Sequence, residues 1–124
     1  MKIYTLINQK GGVGKTTTAI NLGACIAKHG KRVLIVDMDP QANATSSLGY
    51  DKNEIKFGTY GVLIGTAKIN DEIITNEQFH LSLLPSSPSL AGAEIELIDF
   101  PDREKRLTNA LVEVENRFDY VMID

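Results

Sequence analysis

The stretch Asn8-Gln9-Lys10-Gly11-Gly12-Val13-Gly14-Lys15-Thr16-Thr17-Thr18 constrains this chain more than any other. An apolar run from Ile3 leads into it, giving a strand over about Ile3 to Asn8, and an amphipathic stretch from about Thr16 to Lys28 leaves it. The sequence therefore predicts strand, glycine-rich loop and helix in that order, which is the context a phosphate-binding loop requires. Gly11, Gly12 and Gly14 let the backbone fold tightly and turn successive N–H groups toward one point. The helix that follows adds its own unpaired N–H groups and the positive end of its dipole. In such a loop Lys15 reaches the β- and γ-phosphates of a nucleotide, the Thr16 hydroxyl ligates Mg²⁺, and Thr17 hydrogen-bonds the α-phosphate. A flexible turn with two solvated lysines is the plain alternative, and the agreement of strand, loop and helix argues against it.

The loop departs from the common spacing G-x-x-x-x-G-K-[ST]: counting back from Gly14 places Gln9 where the first glycine would stand, and a second lysine, Lys10, precedes the glycine pair. Downstream, Val33-Leu34-Ile35-Val36 is a short apolar run rich in β-branched residues, as expected of a strand covered on both faces. It runs into Asp37-Met38-Asp39-Pro40. If the strand continued, the two aspartates would point the same way. A second apolar run ending in aspartate, Tyr120-Val121-Met122-Ile123-Asp124, predicts another strand, and Leu81 to Leu84 a third beside these.

The helix after the loop has Ala19, Leu22, Gly23 and Ile26 as its expected buried stripe, with Cys25 in the core, His29 solvated at its end and Gly30 as its stop. Pro40 to Gly49 is polar and without clear periodicity. Thr59 to Ile64 reads as a short helix ended by Gly65, and Asn70 as the cap of another running through Ile73 and Ile74. Ser87 or Ser89 is placed to cap a helix from near Leu90. Pro101-Asp102 opens a longer helix with Leu107, Ala110, Leu111, Val114 and Phe118 as its stripe.

Strands alternating with helices predict an α/β fold of the P-loop NTPase type: a parallel sheet flanked by helices on both faces, with ligands at the carboxyl ends of the strands. The loop, the Asp37–Asp39 pair and Asp124 then share one edge of the sheet. A length of 124 residues fits one domain. The net charge of −3 lends no electrostatic support to nucleic-acid binding by this segment. A single cysteine excludes an internal disulfide. No stretch approaches the length of a membrane span, and the start leads straight into a strand without a signal peptide, so a cytoplasmic protein is expected.

Lys10 to Thr17 resembles the deviant Walker A motif of the ParA/MinD group of ATPases. Val36 to Thr45, with Leu84-Pro85-Ser86-Ser87 and Leu90 to Leu97, resembles the ParA/Soj branch, which partitions chromosomes and plasmids. The resemblance implies that residues 1–124 are the N-terminal part of a single P-loop ATPase domain with ATP and Mg²⁺ as its ligands. The phosphates would rest on Lys10, Gly11, Gly12, Val13, Gly14, Lys15, Thr16 and Thr17. Lys10, Lys15 and Asp39 would be catalytic. Asp39 would orient the attacking water, while Thr16, Asp37 and Asp124 would form the metal site. Lys10 would cross to the partner subunit's phosphates in an ATP-dependent homodimer. A ParB-type centromere-binding protein and nonspecific DNA would be the partners, the DNA being held by the missing C-terminal half of a nucleoid-associated protein.

Three other classes share parts of this pattern. A MinD-like membrane-cycling ATPase shares both leading motifs and needs an amphipathic C-terminal helix. An iron–sulfur reductase needs cluster cysteines, and the segment around Ala91-Gly92-Ala93 has none. A phosphotransferase or ligase needs an acceptor pocket that the sequence does not display.

Overall fold

The computed structural model describes residues 1–6 and 12–124. The strands are β1 (Lys2–Thr5), β2 (Val33–Val36), β3 (Ile74–Asn76), β4 (Leu81–Leu84) and β5 (Tyr120–Ile123), joined in one sheet in the order β1-β5-β2-β4-β3. The first four in that order are parallel, and β3 runs antiparallel along β4 with Thr75 opposite Ser82. The α-helices are α1 (Gly12–Lys28), α2 (Asn43–Ser47), α3 (Gly58–Ile64), α4 (Ile69–Glu72), α5 (Ala93–Glu96) and α6 (Arg106–Val112). Among the described residues no helix is long and apolar enough to cross a membrane.

The apolar strand residues divide by parity between two cores, as the two-residue period of a strand requires. Leu34, Val36, Leu84 and Val121 pack with Val62 of α3, Ile69 of α4, Ala110 and Leu111 of α6, and Val114 and Phe118 beyond it. Val33, Ile35, Leu81, Leu83 and Met122 pack on the other side with Ile20 of α1, Ala44 of α2 and Leu48. That double cover is why β2 has no polar position. At Gly23 a Cβ would lie 3.2 Å from Ile35 Cδ1 and 3.3 Å from Leu81 Cδ2, so the missing side chain sets how closely α1 lies on the sheet.

Several expectations are corrected. The buried face of α1 is Thr16, Ala19, Ile20 and Gly23, which turns Leu22 and Cys25 outward; Cys25 is exposed and not a core residue. Asn70 lies inside α4, with Lys68 at the cap position, and Ile74 enters a strand instead of continuing a helix. The β-branched Ile73-Ile74-Thr75 favours the extended backbone, and pairing with β4 satisfies its hydrogen bonds. The sheet is consequently mixed at that edge. The polar stretch after Pro40 contains α2. Ser87 stands at the cap position of a 3₁₀ turn, Pro88–Gly92, without a capping hydrogen bond from its side chain. The last helix is short, a 3₁₀ turn at Arg103–Lys105 followed by α6, and Val114 and Phe118 reach the core from the segment beyond it.

Gly65 ends α3 in the left-handed region with φ 88°, as a C-terminal glycine should. At the opposite edge from β3, β1 pairs among the described residues only with β5, and its four residues are all exposed, Ile3 by 44% and Tyr4 by 46%. The expected continuation of this strand to Asn8 runs into residues 7–11, outside the described residues.

Candidate functional site

The parallel strands end together, and their hydrogen-bond ladder continues past their last residues. Leu6 N–H donates to Ile123 O at 3.0 Å, Asp124 N–H to Val36 O at 2.8 Å, Met38 N–H to Asp124 O at 2.7 Å, and Asp37 N–H to Leu84 O at 3.0 Å. Asp37, Asp124 and the segment leading into the loop are thereby fixed at the carboxyl edge, where ligands bind in open α/β sheets.

Three expected site residues meet there. The Thr16 hydroxyl, buried in the first turns of α1, donates to Asp124 Oδ2 at 2.8 Å. Lys15 Nζ lies 3.4 Å from Asp124 Oδ1, with the lysine side chain 21% exposed and the aspartate side chain fully buried. Among the described residues no hydrogen bond reaches Asp124 Oδ1, whose polar neighbour is the Lys15 ammonium of that ion pair. A buried carboxylate oxygen held by one long ion-pair contact keeps acceptor capacity for a further partner. Thr16 spends its one proton on Asp124, which leaves the lone pairs of its oxygen for another partner.

Gly14 is exposed, and a Cβ there would meet nothing within 4 Å among the described residues. Thr17 is exposed. Thr18 turns its hydroxyl back to Gly14 O at 2.9 Å. Gly12 and Val13 begin α1. Lys10 and Gly11 lie outside the described residues.

Asp37 is completely buried, and its carboxylate is enclosed by protein donors. Oδ2 accepts from the Thr45 hydroxyl at 2.7 Å and from Thr45 N–H at 2.9 Å, and Oδ1 accepts from Asp39 N–H at 3.0 Å. Burial pushes this carboxyl above the ordinary range, against the lowering effect of those hydrogen bonds. No hydrogen bond joins it to Thr16 or Asp124 among the described residues. Asp39 is half-buried and organises its own loop. Its Oδ1 accepts from Gln41 N–H at 3.0 Å, and its Oδ2 from Asn43 N–H at 3.3 Å and Asn43 Nδ2 at 2.7 Å. The left-handed backbone of Ala42, φ 58° and ψ 43°, carries the chain from this turn into α2.

Sequence reasoning assigned no role to Thr45, Thr59 or Ser86, yet all three are completely buried beside these aspartates. Thr59 donates its hydroxyl to Asp37 O at 2.8 Å, and Ser86 donates its own to Asp39 O at 2.6 Å. A polar residue expected in a loop or at the start of a helix gives no sign by itself that it will be buried.

Among the described residues no cluster of three His, Cys, Asp or Glu stands together. A magnesium ion does not require one, because it takes one or two protein carboxylates and completes its shell with water and substrate phosphates. The Asp124 carboxylate, paired at Oδ1 with the Lys15 ammonium and set beside the Thr16 hydroxyl, suits such an ion.

A family model described as AAA domain matches residues 1–124. The chain is 50% identical over 123 residues to the sporulation initiation inhibitor protein Soj of Bacillus subtilis (strain 168), covering 99% of this chain and 49% of that protein. It is 46% identical over 123 residues to the chromosome-partitioning ATPase Soj of Treponema pallidum (strain Nichols), covering 99% and 47%. Among solved structures, cobyrinic acid a,c-diamide synthase from Mycobacterium smegmatis with bound ATP analog and magnesium superposes with a TM-score of 0.95 at 39% identity, over 100% of this chain and 50% of that one. A plasmid partition protein from Borrelia burgdorferi superposes with a TM-score of 0.83 at 32% identity, over 99% and 54%. The chain spans about half the length of the curated relatives it matches.

Proposed function

The chain belongs to the AAA-domain family, in its ParA/Soj group, and from that premise we propose that it carries the phosphate-binding part of an ATP-hydrolysing dimerisation switch for chromosome or plasmid partitioning. The observation that carries the reading is the Thr16–Asp124–Lys15 cluster, in which a buried carboxylate at the carboxyl edge holds the Thr16 hydroxyl on one oxygen and the Lys15 ammonium on the other. ATP is the substrate, and a Mg²⁺ held by Thr16 and Asp124 supplies charge neutralisation when bound. Lys15, now against Asp124, turns to the β- and γ-phosphates. The backbone from Lys10 to Thr16 cradles them, the open space at Gly14 lets the chain approach closely, and Thr17 meets the α-phosphate. Asp37 adds negative charge at the same edge, and Asp39 orients the attacking water. Lys10 crosses to the phosphates of a second subunit, so that ATP holds the dimer together and hydrolysis releases it. The complete protein is cytoplasmic and nucleoid-associated, with a ParB-type partner and nonspecific DNA.

The test is made on the complete protein. Lys15→Ala loses ATP binding or turnover. Lys10→Ala keeps monomer binding and loses ATP-dependent dimerisation, and normal dimerisation at the parental hydrolysis rate would remove the trans-lysine role. Co-sedimentation with DNA rather than liposomes in ATP separates this reading from a MinD-like one. The synthase name of the neighbour with the TM-score of 0.95 favours a second reading, acceptor-dependent ATP use. Hydrolysis without any acceptor argues against it.

A further inference from the structure

The phosphate cluster leaves unexplained why a second carboxylate, Asp37, is wholly buried at the same edge and satisfied by the protein alone. Its contacts form a closed ring. Ser86 N–H donates to Thr45 Oγ1 at 2.9 Å, and the Thr45 hydroxyl donates to Asp37 Oδ2 at 2.7 Å. Asp39 N–H donates to Asp37 Oδ1 at 3.0 Å, and the Ser86 hydroxyl closes the circuit on Asp39 O at 2.6 Å. Three elements are joined by it: the turn after β2, the helix α2 and the turn after β4. A hydroxyl has one proton and two lone pairs. An ionised carboxylate only accepts and an N–H only donates, so Thr45 gives its proton to Asp37 and takes Ser86 N–H on a lone pair, and both arms of the ring end on the Asp37 carboxylate.

The ring holds the backbone of Asp39 on both sides, at its N–H through Asp37 and at its carbonyl through Ser86. The Asp39 carboxylate is filled from its own loop as well. Its Oδ2 takes both Asn43 donors, while among the described residues its Oδ1 takes only Gln41 N–H. A carboxylate oxygen accepts from two directions, so the described residues leave one acceptor direction, on Oδ1. Accordingly, we propose that Thr45 and Ser86 are positioning residues for hydrolysis, acting through Asp37 to hold Asp39 so that this one free direction faces the attacking water. The proposal rests on the ATPase reading above. Thr45 could otherwise serve only to tie down a helix as short as Asn43–Ser47. That role would appear in stability and not in a separation of kcat from KM.

The experiment measures steady-state ATP hydrolysis, ATP-analogue affinity and amide hydrogen exchange on the complete protein and its Thr45→Val, Thr45→Ser and Ser86→Ala variants, well below their melting temperatures. Thr45→Val keeps the side-chain shape and breaks the ring. It should lower kcat by about 10²-fold, the scale for a reacting group displaced by roughly an ångström, with KM and analogue affinity unchanged. Exchange should quicken at the Asp39 and Ser86 amides. Thr45→Ser restores donor and acceptor and should recover the parental kcat. Ser86→Ala removes one bond of the ring and should lower kcat in the same direction, which keeps the proposal testable if Thr45→Val does not fold. Parental kcat in Thr45→Val or Ser86→Ala overturns the positioning role while leaving the ATPase reading intact. Equal losses in Thr45→Ser and Thr45→Val also overturn it, since shape would then matter and the hydroxyl would not. A parent protein that does not hydrolyse ATP sinks the ATPase reading itself, and the positioning role with it.

Discussion

Gly58 offers the most direct test of how the turn after β4 is held. Its φ is +56°, and a Cβ built on it falls inside contact distance of the Pro85 carbonyl oxygen, 2.9 Å from Ile55 Cγ2 and 3.1 Å from Pro85 C. Two costs follow for Gly58→Ala. A side chain in left-handed backbone costs about 1–2 kcal/mol, and forcing extra volume into a packed site costs about 1–3 kcal/mol. Neither is easily relieved. Pro85 O accepts from Thr59 N–H at 2.8 Å, and Gly58 N–H donates to Glu72 Oε1 at 2.8 Å, so the clashing backbone is bonded in place. The sum, about 2–5 kcal/mol, is a large share of the roughly 5–15 kcal/mol that holds a domain folded. Gly30→Ala is the control: its φ is +81° with nothing within 4 Å of the added Cβ, so only the backbone cost of about 1–2 kcal/mol applies. Urea unfolding of both variants, extrapolated to water, should place Gly58→Ala about 1–3 kcal/mol below Gly30→Ala. Equal stability of the two would show that the Pro85 turn gives way freely, and the rigidity assigned to the site's edge would be wrong.

Two further outcomes are expected. Asp39→Ala in the complete protein should lower kcat by about 10²–10³-fold with nucleotide affinity nearly intact, as for a group acting in the transition state; lost affinity in a nucleotide-binding assay would make Asp39 a metal or structural residue. At the amino ends of β2 and β5, hydrogen bonds from the Arg32 guanidinium and Arg32 N–H hold the Asp119 carboxyl at about 2, below its ordinary 3.8. A depressed pKa gives stability that is complete above the ordinary value and lost as pH falls toward 2. The difference in urea midpoint between the parent and Asp119→Asn should therefore shrink between about pH 4 and pH 2; a constant difference across that window would refute the linkage.

What the sequence made legible is what local pattern encodes. The strands at Val33–Val36, Leu81–Leu84 and Tyr120–Ile123 stand where their apolar runs predict, because a strand buried on both faces has no polar position to blur it. The stop of α3 at Gly65 was equally legible, since a left-handed cap favours one residue type. Strand β3 was not. Three β-branched or polar residues carry too little periodicity to outweigh a helix beside them, and only pairing with β4 decides the matter. The exposure of Cys25 and Leu22 was hidden for a related reason. Two apolar stripes one residue apart fit α1 about equally, and the contact of Gly23 with Ile35 and Leu81 selects between them.

The site divides along the same line. Thr16 and Asp124 are 108 positions apart, yet their meeting was foreseeable, because each ends or follows a recognisable strand and parallel strands bring such ends to one edge. Thr45 and Ser86 are only 41 positions apart, and their meeting was not foreseeable. Neither lies in a periodic segment, and a hydroxyl in a polar loop is ordinarily solvated. What buries them is the requirement that a carboxylate removed from water be fully hydrogen-bonded. Once β2 carries Asp37 below the surface, the chain must supply donors to it, and α2 does so from the stretch whose sequence showed no period. Unassigned polar residues of this kind are best sought around a buried charge, by asking which groups satisfy it and what else those groups hold.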